Sequence, residues 1–257
     1  MADECEFSLV IPAFNEAHRI VPSLERLTEY LGQSGVSHEI TVVDDGSTDD
    51  TLALCTRYSS EHPAMRVMGY PVNRGKGYAV KMGVLHSSGR LVAFGDADLP
   101  VPPEDFARFI GALGRGSYDM AIGSRYLPSS SWDTSANRKL MGTAFRLAVQ
   151  LIVGTRVSDT QFGFKLFTSR AASELFSSLT IEGFAFDAEI VRLAHRRGYR
   201  IVELPVRGES APGSTVRPFH DAVAMLLDLL SIRLRRKAAR RLRGETGRFP
   251  GVPMYRA

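Results

Sequence analysis

Short apolar runs and helix-spaced apolar positions alternate along the first half of the chain. Phe7-Ser-Leu-Val-Ile11 is an apolar run closed by Pro12, and Ile20, Leu24, Leu27 and Leu31 then recur at helical spacing up to Gly32 and Gly35. Ile40-Thr-Val-Val43 predicts a second strand, followed by a helix to about Ser60 that Ser47 or Thr48 can cap. A weaker strand runs from Arg66 to Tyr70. Asn73-Arg-Gly75-Lys76-Gly77 then opens a helix carrying Val80, Val84 and Leu85. Arg90 to Phe94 predicts a buried strand, Pro103 to Leu113 a helix, and Tyr118 to Ile122 a strand that ends in Gly123-Ser124-Arg125. Strands and helices alternating at this pitch predict an α/β fold, a mostly parallel sheet flanked by helices.

The second half is less regular. Leu127 to Asn137 reads as loop, and Lys139 to Gly154 as a helix whose apolar residues cover much of its surface. Such a helix suits a core or a lipid face. Asp159 to Phe167 is strand-like and led by an acid. A helix beginning near Phe184 places Ile190, Leu193 and Ala194 on its apolar face, with Asp187 and Glu189 in its first turn. There the two acids can pair with the helix dipole or face a reaction centre. Tyr199 to Leu204 is a last strand ended by Pro205. From Pro218 onward Phe219, Ala222, Val223, Leu226, Leu229, Leu230 and Leu234 recur at helical spacing and run into a basic segment.

Charge sharpens the reading of that end. The net charge is only +4, yet seven of the eleven residues from Arg233 to Arg243 are Arg or Lys. An apolar stripe continuing into basic residues predicts a helix lying in the plane of an anionic membrane surface, with a solvated basic tail as the competing reading. The basic run holds no aromatic ring on which bases could stack, so no nucleic-acid partner is expected. Cys5 and Cys55 form neither a disulfide framework nor a metal-ligand spacing, which fits a reducing cytosol. The acidic start passes directly into a strand, without the pattern of a signal peptide. No window approaches the ~18–20 apolar residues that cross a bilayer. The expectation is a cytoplasmic chain, peripheral on the cytosolic face of a membrane.

Candidate chemistry gathers where the strands end. Asn15 and Glu16, Asp44 and Asp45, Asp96 and Asp98, and Arg125 each follow an apolar strand, and in such sheets ligands bind beyond the carboxyl ends. Asp96 and Asp98 sit one residue apart in Phe94-Gly-Asp-Ala-Asp-Leu-Pro100. If the strand persists they share a face, and two hard oxygen ligands there suit a divalent cation that holds phosphates. A solvated turn is the alternative. Gly75-Lys76-Gly77 lacks the pattern of a kinase-type phosphate loop, and no dinucleotide fingerprint follows the first strand.

Taken in order, Val10-Ile-Pro-Ala-Phe-Asn-Glu16, Asp44-Asp-Gly-Ser-Thr-Asp49, Asn73-Arg-Gly-Lys-Gly77 and Asp96-Ala-Asp98 resemble the successive blocks of the inverting nucleotide-sugar glycosyltransferases of GT-A fold. Asp159-Thr-Gln-Phe-Gly-Phe-Lys-Leu-Phe167, Phe184-Ala-Phe-Asp-Ala-Glu189 and Glu209-Ser-Ala-Pro-Gly-Ser214 resemble the dolichyl- or polyprenyl-phosphate glucosyltransferase branch. The resemblance implies that Pro12, Phe14, Glu16, Asp44 and Asp45 hold the nucleotide, with Lys76, Asp96 and Ala97 also on the donor. It implies Mg²⁺ or Mn²⁺ on Asp98 and Asp96. Arg125, Arg138, Lys165 and Arg217 would bind the acceptor phosphate, and Asp98, Arg125, Asp187 and Glu189 would serve the reaction centre. Two positions depart from relatives: Pro100 stands where the mannosyl branch often has a metal-binding Gln, and Thr215 where a late Gly-Ser-Lys is common.

The implied activity is transfer of a hexose, glucose first, from a UDP-sugar to a polyprenyl phosphate with inversion. A lipid phosphate is largely ionised at neutral pH, its second pKa lying near ~6, and needs no strong base; a hydroxyl acceptor would need Asp187 or Glu189. Alternatives keep the fold but use GDP-mannose, UDP-N-acetylgalactosamine or a soluble hydroxyl acceptor, or make the chain a nucleotide-sugar-binding membrane scaffold. The expected organisation is a catalytic domain over 1–217, with a nucleotide half (1–125) and an acceptor half (126–217), an interface helix over 218–243 and a tail over 244–257. An integral-membrane partner that delivers lipid or flips the product is a further expectation.

Overall fold

The computed structural model describes residues 5–133, 143, 146–147, 149–152 and 154–209. Its centre is a seven-stranded sheet. The strands are β1 (Phe7–Ala13), β2 (His38–Asp44), β3 (Met65–Gly69), β4 (Leu91–Gly95), β5 (Met120–Ser124), β7 (Phe164–Thr168) and β8 (Ile201–Pro205), in the order β3-β2-β1-β4-β7-β5-β8. The helices are α1 (Ile20–Gln33), α2 (Thr51–Ser60), α3 (Lys76–Leu85), α4 (Phe106–Gly114), α5 (Ser169–Ser177) and α6 (Phe186–Arg196). All neighbouring strands are parallel except β7, which runs antiparallel between β4 and β5.

Alternation along the central strands divides the core in two. Leu9 and Ile11 of β1 and Ala93 of β4 pack on one face with Phe106, Phe109 and Phe164. Val10, Val92 and Phe94 turn to the other face with Phe167, Phe176 and Phe186. Being covered on both sides, β1 is buried at six of its seven positions, as parallel strands usually are. Phe164 lies 5.0 Å from the rings of both Phe106 and Phe109. Each such ring contributes roughly 1.5–3 kcal/mol by leaving water.

The order of strands places the crevice. The chain builds β1, β2 and β3 outward to one side, then returns to lay β4 on the other side of β1. Strand order therefore reverses between β1 and β4, the place where open α/β sheets bind ligands. Because β7 is reversed, its beginning, not its end, lies at this edge: Phe164 pairs with Gly95.

Several expectations are corrected. α2 starts at Thr51 with no side-chain cap; the Ser47 hydroxyl accepts instead from Asn15 N. The stretch read as loop holds β6 (Ser131–Asp133), paired in parallel with β9 (Arg207–Glu209). Helix α5, which the pattern reading did not anticipate, is capped by the Thr168 hydroxyl. Of the helix expected over 139–154, residues 143, 146–147 and 149–152 are helical. The expected interface helix and the domain boundary at 217 lie outside the described residues. Among the described residues, no helix is long and apolar enough to cross a membrane.

Candidate active site

The first wall is made by the ends of β1 and β2, stitched together by side chains. Asn15 takes the left-handed backbone region at φ 55°, which Asn tolerates. Its N–H donates to Ser47 Oγ at 2.9 Å and its Oδ1 accepts from Thr48 N at 2.8 Å. Asp45 is buried just past β2. It accepts from Tyr70 Oη at 2.7 Å and from the backbone N–H groups of Arg74 (2.8 Å) and Gly75 (2.9 Å). Burial nevertheless pushes its carboxyl above the usual aspartate range, against the pull of these donors. Asp44 accepts from Ser47 N at 3.1 Å through Oδ2, while its buried Oδ1 has no hydrogen-bond partner. Pro12 is half-buried in β1, and Phe14 keeps 41% of its surface exposed just beyond it. Glu16, expected on the nucleotide, has its carboxylate engaged by Arg19 through Nε and, at 2.8 Å, Nη2.

The second wall follows β4. The strand does not persist through the acidic pair. It ends at Gly95, and Leu99 N donates to Asp96 O at 3.0 Å, closing a turn with Leu99 at φ 50°. Asp96 and Asp98 therefore stand on a turn, Asp96 half-buried and Asp98 exposed, with Ala97 buried between them. Asp96 N donates to Gly163 O at 3.1 Å. A Cβ on Gly163 would come within 2.1 Å of the Asp96 carboxylate, which would have to turn away to make room. Lys76 Nζ, at the start of α3, meets Asp96 Oδ1 at 2.6 Å. Burial opposes the Lys76 charge, but Asp96 and Asp187 outweigh it and hold the ammonium above its ordinary value. Arg19 also feels the charges of Asp98 and Asp96. Arg19, Tyr70 and Gly163 belong to the site, and no spacing in the sequence marks them.

The side expected to take the acceptor is organised differently. Arg125, just after β5, donates to Asp159 through Nε (2.7 Å), Nη2 (3.0 Å) and its backbone N (3.1 Å). Glu203 of β8 in turn accepts from Ser158 N at 2.9 Å and Asp159 N at 3.2 Å. Lys165, expected at a phosphate, is instead fully buried; its ammonium donates to Asp187 and, at 2.8 Å, to Phe162 O. Burial pushes the Asp187 carboxyl up and the Lys165 ammonium down, so the pair sits nearer neutrality than an exposed one. Glu189 turns to the backbone before α6, accepting from Thr180 N (3.0 Å), Thr180 Oγ1 (2.7 Å) and Ile181 N (2.8 Å). Arg138 and Arg217 lie outside the described residues.

The residues on the β4 turn fit a hard divalent cation. Two carboxylates stand on it one residue apart, one exposed and one whose buried Oδ1 meets the Lys76 ammonium. Among the described residues no three acidic, His or Cys side chains group as a metal cage. Further oxygen ligands for such an ion would have to come from a bound phosphate or water.

The profile of glycosyl transferase family 2 matches residues 8–176. A dolichyl-phosphate beta-glucosyltransferase of Drosophila melanogaster is 36% identical over 244 residues, spanning 90% of this chain and 75% of that protein. The Homo sapiens enzyme of the same name is 34% identical over 248 residues, with 90% and 75% covered. Glucosyl-3-phosphoglycerate synthase from Mycobacterium tuberculosis, solved with Mn²⁺, UDP and glucosyl-3-phosphoglycerate, matches at a TM-score of 0.65. It is 22% identical and covers 90% of this chain and 79% of its own. At that identity the likeness is one of fold.

Proposed function

This chain belongs to glycosyl transferase family 2 and has a GT-A fold, and we propose that it transfers glucose from UDP-glucose to a polyprenyl phosphate of the dolichyl type, with inversion. The reading is carried by one arrangement, the Asp96–Asp98 turn flanked by Lys76 at the reversal of strand order, in a chain about a third identical to dolichyl-phosphate beta-glucosyltransferases.

Asp45 and the loop it holds would receive the nucleoside, with Phe14 offering a ring face at the rim. Lys76 would face the diphosphate. Asp96 and Asp98 would hold Mg²⁺ or Mn²⁺, which when bound supplies Lewis-acid neutralisation of the leaving diphosphate. Arg125 spends its Nε–Nη2 fork on Asp159, leaving Nη1 to orient the acceptor phosphate. A phosphate oxygen then attacks the anomeric carbon, a C–O bond forms on the face opposite the leaving group, and UDP departs with the electrons of the broken bond. No proton has to be taken from an ionised phosphate. That fits a site in which Asp187 and Glu189 are already committed to Lys165 and to the 180–181 backbone.

The amphipathic basic segment over 218–243 would bring the enzyme to the cytosolic face of an anionic membrane. One experiment tests substrates and surface together. The full chain, with no other protein added, is incubated with UDP-glucose, UDP-N-acetylgalactosamine or GDP-mannose, plus Mn²⁺ and polyprenyl phosphate in anionic or neutral vesicles, and lipid masses are read. Hexosyl phospholipid from UDP-glucose, faster on anionic vesicles, is expected. A product only from another donor, or only on a soluble hydroxyl acceptor, would overturn the substrate assignment. Equal rates on both vesicles would overturn the electrostatic docking.

A further inference from the structure

Glu189 lies on α6 in the acceptor half, yet its contacts lead back to the donor side. Its carboxylate fixes the turn at Thr180 and Ile181. The same turn carries the start of α3. Glu182 O accepts from Tyr78 N at 3.1 Å, Leu179 O accepts from Lys81 Nζ at 2.8 Å, and the Glu182 carboxylate receives Arg74 Nη2. The approach is close: a Cβ on Gly75 would come within 2.6 Å of Glu182 O, and one on Gly77 within 2.7 Å of Ile181 O. On the opposite side the Asn73–Gly77 stretch is gripped by Asp45 through Arg74 N and Gly75 N. The backbone that aims Lys76 at Asp96 is thus clamped between two buried carboxylates, Asp45 from β2 and Glu189 from α6.

We infer that Glu189 is a positioning residue for the donor diphosphate, acting through the 179–182 turn on Lys76, and is not a proton acceptor in the reaction. The inference rests on the reading of Lys76 as a diphosphate contact. Three of the roughly four acceptor sites of this buried carboxylate are taken by its own chain, and a proton on it would weaken the bonds that hold the turn. The carboxylate can set the position of Lys76, because the glycines leave no slack between the two segments.

The test compares Glu189→Gln and Thr180→Val with the wild-type chain, measuring UDP affinity by calorimetry with Mn²⁺ and the transfer kinetics against pH. Wild-type UDP binding is established first; its absence would fail the donor reading itself. Glu189→Gln sets an amide against N–H donors and should weaken UDP binding and raise KM for the UDP-sugar about tenfold, with kcat within about threefold and the pH profile unmoved. Thr180→Val, at an exposed position and losing only the hydroxyl bond, should shift the same two quantities about twofold to threefold. If Glu189→Gln does not fold, the Thr180→Val shift alone decides. Unchanged UDP affinity in the variants would overturn the inference. So would a kcat loss of about 10²–10⁴ at constant KM with a lost limb of the pH profile, the signature of a general base.

Discussion

At the ends of β2 and β4 some acids keep acceptor capacity in hand: Asp44 Oδ1 is buried without a hydrogen-bond partner and Asp98 is exposed, while Asp96 meets the Lys76 ammonium and Asp45 is held by Tyr70 and the 74–75 backbone. Across the cleft the acids are spent. Asp159 holds Arg125, Asp187 holds Lys165, Glu189 holds the 180–181 turn and Glu203 holds Ser158 and Asp159. The cations of that same side differ from each other, with Lys165 sealed in the core while Arg125 keeps one guanidinium nitrogen outside its pairing with Asp159. Burial alone therefore does not separate a site acid from a structural one. Uncommitted valence does, because an acceptor held without a donor costs free energy that a ligand can recover.

Substitution on the two walls should break the protein in different ways. Asp98→Ala should lower transfer by about 10³ or more and remove the dependence of UDP binding on Mn²⁺, with little change in melting temperature. Retained metal-dependent binding in calorimetry would contradict the assignment of Asp98 to the cation. On the other wall, Lys165→Met strands Asp187 without its partner inside the core. Removing one member of a buried pair costs about 3–5 kcal/mol, a fall in Tm of about 10 °C for a domain of this size. Lys165→Met/Asp187→Leu should recover much of that loss. If Lys165→Met instead leaves Tm unmoved and raises KM for the polyprenyl phosphate, Lys165 is the acceptor contact that the family resemblance implied, and the contrast between the walls fails there.

The same contrast explains what the sequence disclosed. β1, β2, β4, α1 and α6 were legible because their apolar residues repeat at the period of the element, and the acids at strand ends because topology gathers such ends. The reversal of β7 was not legible: direction within a sheet leaves no mark on alternation, yet it brings Gly163 to Asp96. The turn at Asp96–Leu99 was hidden for a related reason, since a D-x-D spacing fits a strand and a turn equally well. Helix α5 could have been read from Ala171, Ala172, Leu175 and Phe176, but it follows β7 without a loop. Commitment of side chains was least visible of all. Asp187 and Glu189 sit in a first helical turn like any dipole-paired acids, and only the approach of Lys165 and the 180–181 backbone, distant in sequence, distinguishes them.

A smaller effect tests the donor wall from within. Tyr70 donates to Asp45 at 2.7 Å, and that bond helps hold down a carboxyl that burial raises. Tyr70→Phe should weaken UDP binding at neutral pH by about 1 kcal/mol, or about fivefold, and push the Asp45 carboxyl further up. Two pH trends then separate. Folded Asp45 holds its proton more tightly than the unfolded chain does. Its contribution to stability is therefore complete below the ordinary aspartate range and lost as pH rises through the raised value. UDP binding runs the other way, because the ionised carboxylate accepts from Tyr70, Arg74 and Gly75 more strongly than the protonated one and so fixes the loop. As pH falls, affinity should decline while the fold loses nothing at this position, and in Tyr70→Phe the decline should begin at higher pH. Calorimetric titrations of UDP across the acid range would show the displacement. Parallel curves for the two proteins would mean that Asp45 does not hold the donor loop through its charge.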